Sequence, residues 1–145
     1  MDKEVVLNKL ENLRRCVARV EAKRPSSLTE LIDDLDRQDI IVLNLERSVQ
    51  ACVDIGMHLL TDFSEITMPD SMFGTFKTLA SVKIIDAELS VHLSKAVGFR
   101  NTAVHAYQDM DWAIVYSIIH ERLEDFRDYA RSVVNYMDNR QVIVP

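Results

Sequence analysis

Val6, Leu10, Leu13, Val17 and Val20 step through the first 22 residues by four, three, four and three. That period draws one apolar stripe along an α-helix, whereas a strand would repeat its inward positions every two residues. The pattern returns at Ile41, Leu45, Val49, Cys52, Gly56 and Leu59, at Leu89, Leu93, Ala96 and Val97, and at Val115, Ile119, Leu123, Phe126, Ala130, Val133 and Met137. Three glycines and three prolines in 145 residues leave few turns between these stretches. Four long amphipathic stripes must be buried against one another. The simplest solution is an all-α fold, an antiparallel four-helix bundle with one or two additional short helices, in a single domain over 1–145.

Local signals set the expected boundaries. Asp2 suits an N-cap for the first helix, and Pro25 stops it near Lys23. Ser27 and Glu30 match a capping box for a short helix carrying Leu28, Leu31, Ile32 and Leu35. The second long helix is expected over about 39–60. Ser71 can cap a short helix reaching about Ser81, with Phe73, Phe76, Leu79 and Ala80 inward. Asp86 opens the next helix, which runs to Gly98. Asp109 or Asp111 caps the last, predicted as one helix to about Met137, and residues 138–145 read as a loose tail.

The formal net charge is −6 and the pI about 5.2. Such a chain cannot attract nucleic acid through its overall field, so any such contact needs a local basic patch. Arg15, Arg19 and Lys23 stack at spacing four on the first helix and offer one; a solvated basic face explains them equally well. Glu30, Asp33, Asp34, Asp36 and Asp39 against Arg37 read as a solvated acidic connector. Cys16 and Cys52 fall on apolar helix positions and read as buried thiols. No spacing suits a metal site, and no glycine-rich phosphate loop calls for a cofactor. The N-terminus is charged from its second residue, unlike a signal peptide, and no apolar run approaches the roughly 18 residues of a membrane span. A cytoplasmic protein is expected.

One stretch does not belong to a plain bundle. "GFRNTAVHAYQDMD", residues 98–111, places Arg100, His105 and Tyr107 within eight residues. On spacing alone two readings stand side by side. An arginine near a helix C-terminus offsets the helix dipole and a histidine can cap it, or the trio forms a site.

The stretch resembles the signature of the HEPN superfamily, and within it the HepT-type toxins, marked by Arg-x4-His-x-Tyr. The flanks "LSKAVGFRNTAVHAYQDMD", "VLNLERSVQACVDIGMHLL" and "HERLEDFRDYA" resemble the family as well. The resemblance implies a metal-independent ribonuclease toxin. His105 would then accept the ribose 2′-OH proton, and Arg100 would hold the phosphate bidentately, leaving a 2′,3′-cyclic phosphate. It also implies a homodimer whose two motifs face one RNA strand across a cleft, with Arg15, Arg19 and Lys23 along it. A small MntA-type nucleotidyltransferase antitoxin would attach AMP to Tyr107, adding bulk and negative charge where RNA phosphates must lie. Otherwise, the Tyr107 hydroxyl bonds a backbone carbonyl. A second reading of the whole chain is an inactive HEPN module that docks a nucleotidyltransferase or a nucleotide.

Spacing five on a continuous helix sets two side chains about 140° apart, too far to meet on one phosphate. The helix is therefore expected to end or bend between Arg100 and His105, near Gly98, Thr102 and Val104. Asn101 would bond the freed backbone or touch the phosphate. Asp54, set among apolar neighbours, is expected to orient Arg100, since a buried aspartate needs a partner; the other reading is a charge at the edge of the stripe. His58 reads as a satisfied core histidine, and His92 and His120 as helix-surface residues.

Overall fold

The computed structural model describes residues 1–143. Seven α-helices and one 3₁₀ turn account for the secondary structure of these residues, and there is no strand among them. The helices are α1 (Lys3–Ala22), α2 (Leu28–Asp33), α3 (Leu35–Leu60), α4 (Met72–Ser81), α5 (Ala87–His105), α6 (Trp112–Glu121) and α7 (Leu123–Ile143), and the 3₁₀ turn is Tyr107–Asp109.

The caps are those the sequence signals. The Asp2 carboxylate accepts from the Glu4 and Val5 amides, Ser27 Oγ from Glu30, Ser71 Oγ from Gly74 and Asp86 from Leu89. Each serves a helix-end amide that has no partner inside its own helix. The Glu30 carboxylate turns to the amide and hydroxyl of Ser26 instead of completing the box with Ser27. The short α2 is pinned at its other end by buried Gln38, whose amide donates to the carbonyls of Leu31 and Ile32.

Long-range contacts fix the direction of each long helix. Arg37 donates to the Lys23 carbonyl at one end of the α1–α3 pair, and the Asp2 amide donates to His58 at the other. Tyr107, just past α5, reaches Asp39 at the start of α3. Tyr129 and Tyr136 of α7 reach Cys52 and Asp62, so α7 runs alongside α3 in the same sense. The result is an up-down-up-down bundle of α1, α3, α5 and α7. The ends of α1 and α5 and the starts of α3 and α7 lie together at one end, with α2 and α6 packed against each other there.

The predicted stripes of α1, α3, α5 and α7 are the core: Val6, Leu13, Val17, Val20, Ile41, Leu45, Val49, Leu59, Leu93, Val97, Phe126 and Val133 are all buried. Each fully buried side chain of this size contributes about 1.5–3 kcal/mol by leaving water. Gly56 sits where α3 meets α4 and α7. A Cβ there would lie 2.7 Å from Leu79 Cδ1 and 2.9 Å from Thr75 Cγ2. Lys83 ends α4 in the left-handed region at φ 65°, where glycine is the unstrained residue.

Four expectations need correction. The last helix is two, because Arg122 (φ −123°, ψ 3°) breaks it between α6 and α7 with no glycine or proline to announce the break. The residues 138–143 continue α7 and are not loose; 144–145 lie outside the described residues. The α3 helix begins at Leu35, because Asp34 caps it by accepting from the Arg37 amide. On α4, Phe73 is exposed and Thr75 takes the buried position, donating to the Ser71 carbonyl of the preceding turn.

Candidate active site

The fold carries α5 straight through the motif. It does not end or bend between Arg100 and His105; His105 is its last residue, and Gly98 is an ordinary right-handed helical position with nothing within 4 Å of where a Cβ would stand. Thr102 stays helical, its hydroxyl donating to the Gly98 carbonyl of the preceding turn at 3.3 Å. Arg100 and His105 therefore leave α5 about 140° apart and about 7.5 Å apart along its axis. The chain turns only at Ala106 (φ −148°, ψ 49°), whose amide donates to the Thr102 carbonyl.

Arg100 is half-buried. Its Nε is buried with no hydrogen-bond partner, and Nη1 donates to Asn101 Oδ1 at 3.4 Å. No backbone is freed for Asn101 to cap; its side-chain oxygen serves the guanidinium instead. Arg100 has no ion pair among the described residues. Asp54 in particular does not orient it: Asp54 is exposed on the α1 side of α3 and accepts from Gln50 at 2.9 Å. Its neighbours Val53 and Ile55 are buried while Asp54 itself meets solvent.

His105 is exposed on the last turn of α5 and makes no side-chain hydrogen bond among the described residues. The other histidines are committed. His58 Nε2 accepts the Asp2 amide at 2.8 Å, as a satisfied histidine should. His120 lies on the surface, bonded to the Tyr116 carbonyl with its ring 4.1 Å from that of Tyr116. His92 is not a surface residue: its Nδ1 lies 3.2 Å from Asp125, with only 20% of its side chain exposed. Burial raises the Asp125 carboxyl above its ordinary range despite the pull of His92. The pair stands on the wall of a cavity of about 530 Å³ behind α5, with Phe99, Thr102 and Ile114 among its other walls.

Tyr107 sits on the 3₁₀ turn with its ring edge-on to Trp112 at 6.0 Å. Its residue is 37% exposed, but its hydroxyl is neither free nor on a backbone carbonyl. It donates to Asp39 Oδ1 at 2.8 Å. Partial burial, and then the Asp39 carboxylate, push the phenol up to about 12. Sixty-eight residues separate the two, so no local pattern could have announced Asp39 as part of the site. Arg15, Arg19 and Lys23 are exposed and free of ion pairs among the described residues, and their stripe climbs to the motif end, where the Lys23 carbonyl accepts from Arg37. Cys16 and Cys52 are buried free thiols, both held up by burial. Among the described residues no group of three or more His, Cys, Asp or Glu side chains stands ready for a metal ion, and no helix is long and apolar enough to cross a membrane.

Known proteins resemble this chain in sequence and in fold. The chain is 33% identical to the mRNA nuclease HepT of Shewanella oneidensis over 126 residues, 87% of this chain and 93% of that one. It is 26% identical to the tRNA nuclease HepT of Aphanizomenon flos-aquae over 133 residues, 92% and 90% of the two chains. Its structure superposes with a TM-score of 0.84 and 32% identity on the tri-AMPylated Shewanella oneidensis HEPN toxin in complex with MNT antitoxin, covering 93% of this chain and 99% of that one. An up-down helical bundle carrying Arg-x4-His-x-Tyr where α5 ends defines a HEPN ribonuclease of the toxin class. The sequence profile of the Ribonuclease HepT-like family matches residues 7–133, and the chain belongs to that family.

Proposed function

We propose that residues 1–145 act as one domain, a toxin that cuts RNA without a metal ion and works as a homodimer with the two α5 ends across one cleft. Arg100 holds the phosphate and His105 takes the 2′-OH proton, leaving a 2′,3′-cyclic phosphate. The observation that carries this reading is that α5 ends with a guanidinium that has no carboxylate partner and an imidazole that has no side-chain hydrogen bond among the described residues. A guanidinium that no carboxylate neutralises is suited to hold phosphate oxygens. Asn101 steadies the guanidinium, and the free cations of Arg15, Arg19 and Lys23 guide the strand. The departing 5′ oxygen needs a proton donor, and the one histidine without a side-chain partner among the described residues is already the base. A second His105 from a partner subunit supplies it.

Neutralisation follows from Tyr107. Its phenol lies two residues beyond the base and is partly exposed. AMP attached there by an MntA-type nucleotidyltransferase sets a phosphodiester charge and a nucleotide's bulk in the path of the RNA backbone. The intact Arg100 and His105 speak against an inactive docking module.

The test is RNA incubated with unmodified protein in EDTA. Cleavage should persist in the chelator and fall about 10²–10⁴-fold in Arg100→Ala and His105→Ala. Uncut RNA with the wild type, or full activity in either variant, overturns the reading.

A further inference from the structure

Of the four tyrosines, only Tyr107 joins a part-exposed ring to a carboxylate that has no ion pair among the described residues. Tyr129 is fully buried and donates to the Cys52 carbonyl at 2.7 Å. Tyr116 reaches the Ser26 carbonyl at 3.4 Å, and an amide oxygen is no proton acceptor. Tyr136 donates to a carboxylate, Asp62, at 2.9 Å, but Asp62 is already claimed by the Met1 ammonium at 2.8 Å and the Arg140 guanidinium at 2.8 Å. Those two cations, with the Tyr136 hydroxyl, hold the Asp62 carboxyl below its ordinary range against the opposing effect of burial, which makes it a poor base. Tyr107 differs on each count. Its ring is partly exposed on a surface turn, and its hydroxyl donates at 2.8 Å to Asp39, which is exposed and has no ion pair among the described residues.

We propose that Asp39 is the proton acceptor for modification of Tyr107, so that this toxin carries within its own chain the base that readies its tyrosine for a nucleoside triphosphate. The proposal rests on the reading that Tyr107 is the AMPylated residue. As the Tyr107 oxygen forms its bond to the α-phosphorus, the bond from that phosphorus to the β-phosphate oxygen breaks, and pyrophosphate leaves with the electron pair. The phenolic proton passes along the existing hydrogen bond to Asp39 and then to water. Such a base is needed because the phenol keeps its proton at neutral pH. A carboxylate accepting the proton of an attacking hydroxyl is the same device that protein kinases use. The contact also selects the residue, since among the described residues no other tyrosine has both exposure and a carboxylate without an ion pair.

Two substitutions separate proton transfer from mere positioning. Asp39→Asn keeps an oxygen that accepts the Tyr107 hydrogen bond but cannot take the proton; Asp39→Ala removes both. The wild type and each variant are incubated with an MntA-type nucleotidyltransferase and ATP, and AMP is mapped by mass spectrometry over time. The wild type should gain AMP on Tyr107 and none on Tyr136. Asp39→Asn should bind the antitoxin and give an unchanged KM for ATP with kcat lower by about 10²–10⁴-fold, and Asp39→Ala should be no faster. Asn at the wild-type rate overturns the proposal and leaves Tyr107 as the target. AMP absent from wild-type Tyr107 overturns the neutralisation reading itself, and this inference with it.

Discussion

Wild-type chains diluted with His105→Ala chains should lose activity faster than their share of the mixture. Three of the four histidines are held by the Asp2 amide, by Asp125 and by Tyr116, which leaves one imidazole without a partner among the described residues. Transfer of the 2′-OH proton and protonation of the leaving oxygen call for two. In a closed two-fold dimer the second must come from the partner subunit, and a mixed dimer is left with one. When wild type and variant are mixed one to one and allowed to exchange subunits, about half the dimers are mixed and about a quarter are fully wild type. Activity should then fall to about a quarter of that of the undiluted wild type at equal total protein. At one wild-type chain in four it should fall to about one-sixteenth. The assay is initial-rate cleavage of a fluorophore–quencher RNA, with mixed-dimer formation followed by a tag on the variant. His105 is exposed and unbonded, so its replacement should leave the fold intact. Activity that falls in direct proportion to the wild-type share, to about a half at one to one, refutes the shared-site reasoning.

Replacing either of two glycines should have opposite effects. Gly56→Ala drives a methyl into Leu79 and Thr75 and should destabilise by about 1–3 kcal/mol, whereas Gly98→Ala meets open space on a helix and should stabilise by up to about 1 kcal/mol. Thermal melts that rank the two the other way would contradict the close approach of α3, α4 and α7. Asp54→Asn should leave RNA cleavage within about twofold and stability within about 0.5 kcal/mol, because the carboxylate serves Gln50 at the surface; a loss as deep as that of Arg100→Ala would restore it to the site. In a spectrophotometric titration the Tyr107 phenol should ionise near 12, and Asp39→Ala should bring it down. The folded state holds that proton more tightly than the unfolded chain, whose phenol titrates near 10. The contribution to stability is thus complete below pH 10 and lost as pH rises from 10 to 12. An unshifted phenol would mean the Asp39 contact does not form in solution.

The linear sequence decided whatever depends on neighbours within a turn or two. Apolar spacing located the inward stripes that α1, α3, α5, α6 and α7 bury, though not the break at Arg122, and the caps at Asp2, Ser27, Ser71 and Asp86 follow from single side chains meeting nearby amides. The motif could be located because its three members lie within eight residues. Its geometry could not. The expected bend rested on the weak helix propensity of Gly98, Thr102 and Val104, which costs only tenths of a kcal/mol to about 1 kcal/mol each. Packing of Val97, Phe99 and Ala103 into the core outweighs that and keeps α5 straight. The straight helix turns Arg100 away from His105. The same limit explains Asp54, where a helix that is apolar on several faces hides which of its edges meets water. It explains Asp39, read as part of an acidic connector, and His92, read as a surface residue. Their partners, Tyr107 and Asp125, lie 68 and 33 residues away, and only the packing of the bundle brings such groups within hydrogen-bonding distance.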